Sequence, residues 1–490
     1  MEKLEQQRKS SVLEGAFWSW LSTVINLLAL LIIGKLFVIS LSKEEVATFS
    51  LLLVWSDGFI LFFGYGLNVS IPKLIGSAPD NEKNSLSSSL LFFSIINVIA
   101  VSIIILIIWG LLYWFLPVWK NSGNSSLLFS YFWIAPFLFC IGLPRDILLA
   151  NLSGFQVFGK RALGVTISST LQVLFSIFVL VILKGKIVSL SVAYMISYFL
   201  TTVLLWRSLP TERSFQLNFS QVVSAIKFSW ILWINSILNY LVQRFDTVVL
   251  LFLTGSPIQV AIYEMAKRLC IIASRMLGAI LLPYLPRISE LFSLNLANKA
   301  NQFFVQTQNA IAILSFAGIM FLPFIQKYII LLLFSKEYME ITSILVLLLA
   351  GIVFAVLSGI SGQTLIASNR PYIVTLTNIG TVAINLGLNF LLIPRLGMIG
   401  AGWSSLASFF FSYIVQTFWA KKTCIQFEWS KILTPLFVFA CFLLFYTYFP
   451  HLVWVNSLFI LVLLIISYVF NLIPFEYLYT RIIKRIQVKS

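Results

Sequence analysis

Residues 241–286 read LVQRFDTVVLLFLTGSPIQVAIYEMAKRLCIIASRMLGAILLPYLP. The stretch is apolar enough to lie in a membrane, yet it carries Arg244, Asp246, Glu264, Lys267, Arg268 and Arg275. The run just before it, Phe228–Tyr240, has no charged residue at all. An ionisable group at the centre of a membrane helix costs at least ~2.5–3.5 kcal/mol. Six such groups in two consecutive spans need a reason. Our reading is that they face a water-filled cavity and bind an anion.

The rest of the chain fits a membrane setting. It has 490 residues, 60% of them hydrophobic and 10% charged, where a soluble domain carries roughly 25% charged residues. Apolar runs of about 20 residues, the length of a membrane helix, recur to the end. Fourteen candidate spans follow: 12–39, 45–68, 87–116, 127–150, 162–183, 187–207, 222–253, 257–285, 300–326, 338–368, 371–392, 398–420, 432–449 and 452–473. The first follows a polar head with Lys3, Arg8 and Lys9. It exceeds the ~7–15-residue core of a signal peptide, so it is expected to be retained. The class is an all-α polytopic membrane protein, and connections are too short to be further domains.

Charge sets the expected orientation. With the N-terminus inside, the outer loops hold Lys35, Lys43, Lys120, Lys184, Lys186, Lys327, Lys336 and Arg395. Four cations lie in spans (Arg244, Lys267, Arg268, Arg275), and the other twenty-one of the 33 fall on the cytoplasmic side. This positive-inside bias predicts cytoplasmic N- and C-termini. It also accounts for the net charge of +16 without nucleic acid, which would need a basic soluble face.

Other chemistries find little support. His451 is the only histidine, and Cys140, Cys270, Cys424 and Cys441 are scattered, so no metal site, disulfide framework or cofactor is expected. Gly154–Lys160 has phosphate-loop spacing, but Arg161 replaces the Ser or Thr that would hold magnesium. The outer loops, longest near Trp119–Ser126 and Gln326–Glu337, lack a catalytic Asp/Glu/His cluster.

The chain also repeats itself. Trp20 and Asn26 return 213 residues later as Trp233 and Asn239. Val46-Ala47 returns as Val260-Ala261 and Pro72-Lys73 as Pro286-Arg287, each 214 later. The basic turn at Lys160 has a looser echo at Arg370. Spans 1–6 thus match spans 7–12 in the same orientation, a transporter plan. We expect an N-terminal six-helix bundle (1–210), a C-terminal six-helix bundle (211–425), and an appended pair with a basic tail (426–490).

Polar stripes run along several spans. One holds Ser19, Ser22, Thr23 and Asn26; another Asn235, Ser236, Asn239, Gln243 and Asp246; a third Thr375, Asn378, Thr381, Asn385 and Asn389. Such stripes line a cavity or join helices by hydrogen bonds. Glu264, Lys267, Arg268 and Arg275 fall within an arc of about 100° on their helix. Glu264 can pair with Arg268, four residues on. Four cations against two anions in the six-residue cluster favour an anion site, with Arg244, Lys267, Arg268 and Arg275 as its ligands. Asn26, Asn235, Asn239, Gln243, Asn378 and Asn385 are the candidate polar lining. Asp57, mid-way along span 2, joins Asp246 and Glu264 as candidates for ion coupling or charge balance. Arg145 and Asp146 after Pro144 read as an interfacial pair with a gate-side role as the alternative.

Three passages carry a resemblance. They are Arg244-Phe245-Asp246-Thr247 with Val260-Ala261-Ile262-Tyr263; Leu282-Pro283 to Pro286-Arg287-Ile288-Ser289; and Asn385-Leu386-Gly387-Leu388-Asn389 to Ile393-Pro394, then Gly397 and Gly400-Ala401-Gly402. Together they resemble the polysaccharide-export and O-antigen flippase (Wzx-type) family, within the multidrug/oligosaccharidyl-lipid/polysaccharide exporter superfamily. Ala261 stands where that family usually has glycine. The resemblance implies two pseudo-symmetric six-helix bundles around a central cavity plus two C-terminal helices. It also implies a flippase in the bacterial cytoplasmic membrane. The implied cargo is a polyprenyl-pyrophosphate-linked oligosaccharide, moved from the inner to the outer face by alternating access. Implied partners are that lipid-linked glycan, the bilayer, a coupling proton or sodium ion, and other glycan-assembly membrane proteins. The alternatives are a small-molecule or multidrug exporter of the same superfamily and a membrane glycan polymerase or ligase.

Overall fold

A computed structural model describes residues 2–115, 130–210, 217–281, 283–449, 452 and 454–469. His451, the basic tail from 470 onward, and the side chains of Glu14 and Ser19 lie outside the described residues. Sixteen α-helices and no strand occur among the described residues. In chain order they are α1 (Glu2–Ser40), α2 (Lys43–Phe63), α3 (Leu67–Ser77), α4 (Asp80–Phe115), α5 (Ile134–Gly154), α6 (Phe158–Ile177), α7 (Ile187–Ser208) and α8 (Phe219–Thr254). Then follow α9 (Pro257–Leu281), α10 (Tyr284–Ser293), α11 (Ala297–Leu333), α12 (Thr342–Ala367), α13 (Pro371–Leu396), α14 (Met398–Thr423), α15 (Trp429–Tyr448) and α16 (Val455–Val469).

Each expected span coincides with one of these helices. Twelve helices among the described residues are long and apolar enough to cross a membrane. The other two expected spans are α9, which carries four charges, and α16, which has 15 described residues. Span 2 differs from expectation at its C-terminal end. The helix stops at Phe63, and a turn with Tyr65 at φ 50° and Gly66 at φ 68° starts the short helix α3. The sequence runs apolar through the turn, so hydropathy alone could not see it.

Helix boundaries follow the repeat. α2 begins at Lys43 and α9 at Pro257, 214 positions apart; α6 begins at Phe158 and α13 at Pro371, 213 apart. The Pro-basic pairs Pro72-Lys73 and Pro286-Arg287 sit in the two short helices, α3 and α10. Local chemistry sets several ends. Ser42 and Glu45 form a reciprocal capping box at the start of α2, with N···O distances of 3.2 and 3.0 Å. Lys186, at the head of α7, pairs with Glu45 at 3.2 Å. α6 ends in a π-helical turn, Phe178–Ile182.

Packing divides the chain into two compact units, Met1–Glu264 and Met265–Ser490. In the first, α5 is the buried helix, lying against α2, α3, α4 and α7, while α1 packs on α6. Its core joins Ile60, Ile71, Leu90, Phe139 and Ile147. α8, the head of the second repeat, lies in this unit against α2, α3 and α4. In the second unit α12 is the buried helix, against α11 and α14. α15 and α16 dock on α11, where Phe316 and Phe439 stack at 4.0 Å.

The third resemblance passage has a physical basis here. Gly397 links α13 to α14 with φ 57° and ψ −135°, a conformation open mainly to glycine. A β-carbon on Gly400 would stand 2.6 Å from the Leu392 backbone. The two helices can only turn back so tightly because both positions lack a side chain.

Candidate functional site

The site is built where α8 lies along α2. Two side chains of α8 donate to α2 carbonyls: the Trp233 indole N–H to Leu61 at 2.8 Å and the Tyr240 hydroxyl to Val54 at 2.5 Å. Both approaches need a glycine. A β-carbon on Gly58 would stand 2.8 Å from Tyr240 Oη, and one on Gly66 would stand 2.8 Å from Trp233 Cβ. Further along the seam, the Ser70 and Ser229 hydroxyls lie 2.5 Å apart, and Ser85 donates to Gln221 at 3.2 Å.

This register sets two charges near one another that are far apart in sequence. Arg244 is one turn beyond Tyr240, and Asp57 directly precedes Gly58. Each is the other's strongest charged neighbour. Asp57 next feels Asp146, Arg145 and Glu264, whereas Arg244 next feels Glu264, Tyr240 and Asp246. Among the described residues the two form no ion pair within 4.0 Å. Asp57 is exposed and Arg244 half-buried.

A second charged group lies nearby. The Arg145 guanidinium of α5 donates through Nε and Nη2 to Asp146 Oδ1 at 3.0 and 2.8 Å. The same guanidinium stands 4.0 Å over the ring of Tyr198 from α7. Carboxylate and ring together hold the cation in one orientation. The Arg145–Asp146 pair is legible in the sequence, whereas Tyr198 and Tyr240 are not. The only signal for them was a tyrosine inside an apolar span, and such residues are common.

The remaining predicted residues separate into distinct settings. Asp246 and Glu264 are buried, at 2% and 5% exposure. Tyr263 donates its hydroxyl to Asp246 Oδ2 at 2.5 Å, and Thr247 donates its backbone N–H to Asp246 Oδ1 at 2.8 Å. The Thr247 hydroxyl donates to Glu264 at 2.5 Å. The two carboxylates thereby tie α8 to α9. In the second unit, Lys267 and Arg268 are half-buried and Arg275 is exposed.

Of the polar lining, Asn239 and Gln243 are exposed on α8. Asn235 donates to its own helix at the Ile231 carbonyl, 3.1 Å away. Asn26 donates to Ser169 Oγ at 2.8 Å and joins α1 to α6. In the second unit Asn378 is half-buried. Asn385 is fully buried, donating to Ser408 at 3.3 Å and accepting from Asn389 at 3.1 Å. That ladder joins α13 to α14, the helix-joining use of such a stripe.

Among the described residues no group of three or more His, Cys, Asp or Glu could hold a metal ion. The four cysteines are free thiols.

Comparison with known proteins places this architecture. The fold is similar to the lipid II flippase MurJ in an inward closed conformation, with a TM-score of 0.67 at 16% identity, over 96% of this chain and 100% of that one. It is similar to a multidrug-resistance MATE transporter of the MOP superfamily in an inward-facing conformation, with a TM-score of 0.68 at 14% identity, over 82% of this chain and 97% of the other. A MOP-superfamily transporter from Pyrococcus furiosus matches with a TM-score of 0.61 at 14% identity, over 84% and 95% of the two chains. No curated protein sequence matches the chain. The family model for "Polysaccharide biosynthesis protein" matches residues 12–292, more than half of the sequence. The chain therefore belongs to the polysaccharide biosynthesis protein family and has the fold of the MOP-superfamily transporters.

Proposed function

We propose that this protein is a flippase for polyprenyl-pyrophosphate-linked oligosaccharide, carrying an O-antigen, capsule or exopolysaccharide repeat unit from the inner to the outer face of a bacterial cytoplasmic membrane. The observation that carries the reading is the set of cations on two consecutive membrane helices, Arg244 on α8 and Lys267, Arg268 and Arg275 on α9. Arg and Lys match phosphate oxygens, and the family is one of polysaccharide biosynthesis. In this reading the pyrophosphate and sugars travel through the protein by alternating access while the polyprenol stays in the bilayer. The N- and C-termini are cytoplasmic. An anion moving outward runs down an inside-negative potential, worth ~2.3 kcal/mol per charge per 100 mV. Asp57, Asp246 and Glu264 are the carboxylates for proton or sodium coupling.

The test is a cell lacking the protein, complemented with wild type, Arg268→Ala or Arg275→Ala. The expected outcome is lipid-linked glycan accumulating on the cytoplasmic side and cleared only by wild type. Clearance by both variants would remove α9 from the site. A second reading, export of small molecules, draws on the equal likeness to the MATE transporter. It gains first place if no lipid-linked glycan accumulates and the cells become sensitive to small toxic compounds instead.

A further inference from the structure

In the proposed function Arg244 is one cation among four and Asp57 a coupling carboxylate. The structure relates them more closely. They are each other's strongest charged neighbours, on adjacent helices of one compact unit, and among the described residues they do not close into an ion pair. The contacts beside the pair fix the register of the two helices. Tyr240, one turn before Arg244, is held to the Val54 carbonyl, and its hydroxyl stands against Gly58, the neighbour of Asp57. Other charge around the pair is already committed. Arg145 is engaged by Asp146 and Tyr198, and Asp246 and Glu264 are buried in hydrogen bonds to Tyr263 and Thr247.

We infer that Asp57 and Arg244 form a two-part subsite for a glycosyl phosphate, in which Arg244 takes the phosphate and Asp57 accepts a hydrogen bond from a hydroxyl or acylamino donor on the adjacent sugar carbon. A bare phosphate satisfies only half of the subsite and is repelled by Asp57. A sugar phosphate with a donor beside the phosphate satisfies both halves, because the carboxylate needs a donor and the guanidinium an acceptor. Asp57 is then a specificity-determining residue that reads the first sugar of the cargo. The inference rests on the proposed function for the chemical class of ligand.

The probes are α-glucose 1-phosphate, 2-deoxy-α-glucose 1-phosphate and inorganic phosphate, measured by equilibrium dialysis against the purified full-length chain in detergent. Wild type is expected to bind glucose 1-phosphate about tenfold more tightly than the 2-deoxy compound, the size of one charged hydrogen bond. Asp57→Asn and Asp57→Ala are expected to bring that ratio to about one to three and to tighten inorganic phosphate. Arg244→Gln is expected to lose all three ligands. The inference is overturned if wild type does not distinguish the two sugar phosphates, or binds none of the probes. It is also overturned if both Asp57 variants weaken all probes equally, which would make Asp57 a structural charge. Unchanged size-exclusion profiles for Asp57→Asn guard against misfolding. The dialysis result stands apart from the accumulation assay: discrimination by Asp57 without glycan accumulation in cells would retain the subsite and reject the flippase reading.

Discussion

At the scale of single residues, the site depends on where side chains are absent. Gly58 lets the Tyr240 hydroxyl reach the Val54 carbonyl. An added β-carbon would push that hydroxyl away and leave a polar group without its partner, a cost of about 1–3 kcal/mol. Gly58→Ala is therefore expected to destabilise the protein, and Tyr240→Phe to do so by less. Their double variant is expected to fall short of the sum by about 0.5–3 kcal/mol, since both remove the same contact. Chemical denaturation of the four proteins in one detergent checks this; strict additivity would mean that Gly58 and Tyr240 act separately. Neither partner is recognisable from sequence, because tyrosines and glycines recur throughout the spans. The charges are different. Arg244 and Asp57 are both conspicuous as letters in apolar helices, but only packing brings each within electrostatic range of the other.

At the scale of elements, breaks in helices matter more than their apolar runs. α2 ends at a left-handed turn, and α3 then carries Pro72 and Lys73. α13 and α14 are joined by one glycine and cross closely at Gly400. Gly400→Ala is expected to cost about 1–3 kcal/mol by overpacking against the Leu392 backbone. Gly402→Ala, whose β-carbon would lie 3.5 Å from Leu347, is expected to change stability by about 0.5 kcal/mol or less. Thermal unfolding of the two variants in detergent separates the cases, and equal melting temperatures would refute the contrast. The motif glycines were legible as motif, while their reason was not. Length, type and approximate ends of the helices were legible, because hydropathy and capping residues act locally.

At the scale of the whole molecule, the positive-inside distribution predicts where each loop lies. In a background lacking Cys140, Cys270, Cys424 and Cys441, a cysteine at Ser122→Cys is expected to react with a membrane-impermeant maleimide on intact cells. One at Ser214→Cys is expected to react only after the cells are opened. Labelling of both from outside would overturn the orientation and with it the direction of transport. The repeat and the packing also divide the chain differently. By sequence α8 heads the second half, yet it packs on α2, α3 and α4 of the first unit. The seam that holds it there consists of hydroxyls, an indole N–H and an amide on carbonyls and each other. Bonds of this kind are each worth about 1 kcal/mol.

The sequence by itself determined the all-helical membrane class, the long apolar helices, the internal repeat and the presence of charge within those helices. Each of these depends on residue chemistry read over one helix length, where transfer from water to hydrocarbon dominates. Only the tertiary structure decided what the polar residues do. Asn385 and Asn389 became a buried ladder, Asp246 and Glu264 became a tie between α8 and α9, and Asp57 came within electrostatic range of Arg244. A buried polar group is satisfied by whichever partner the packing brings within hydrogen-bond distance. That partner can stand anywhere in the chain, so no local pattern announces it.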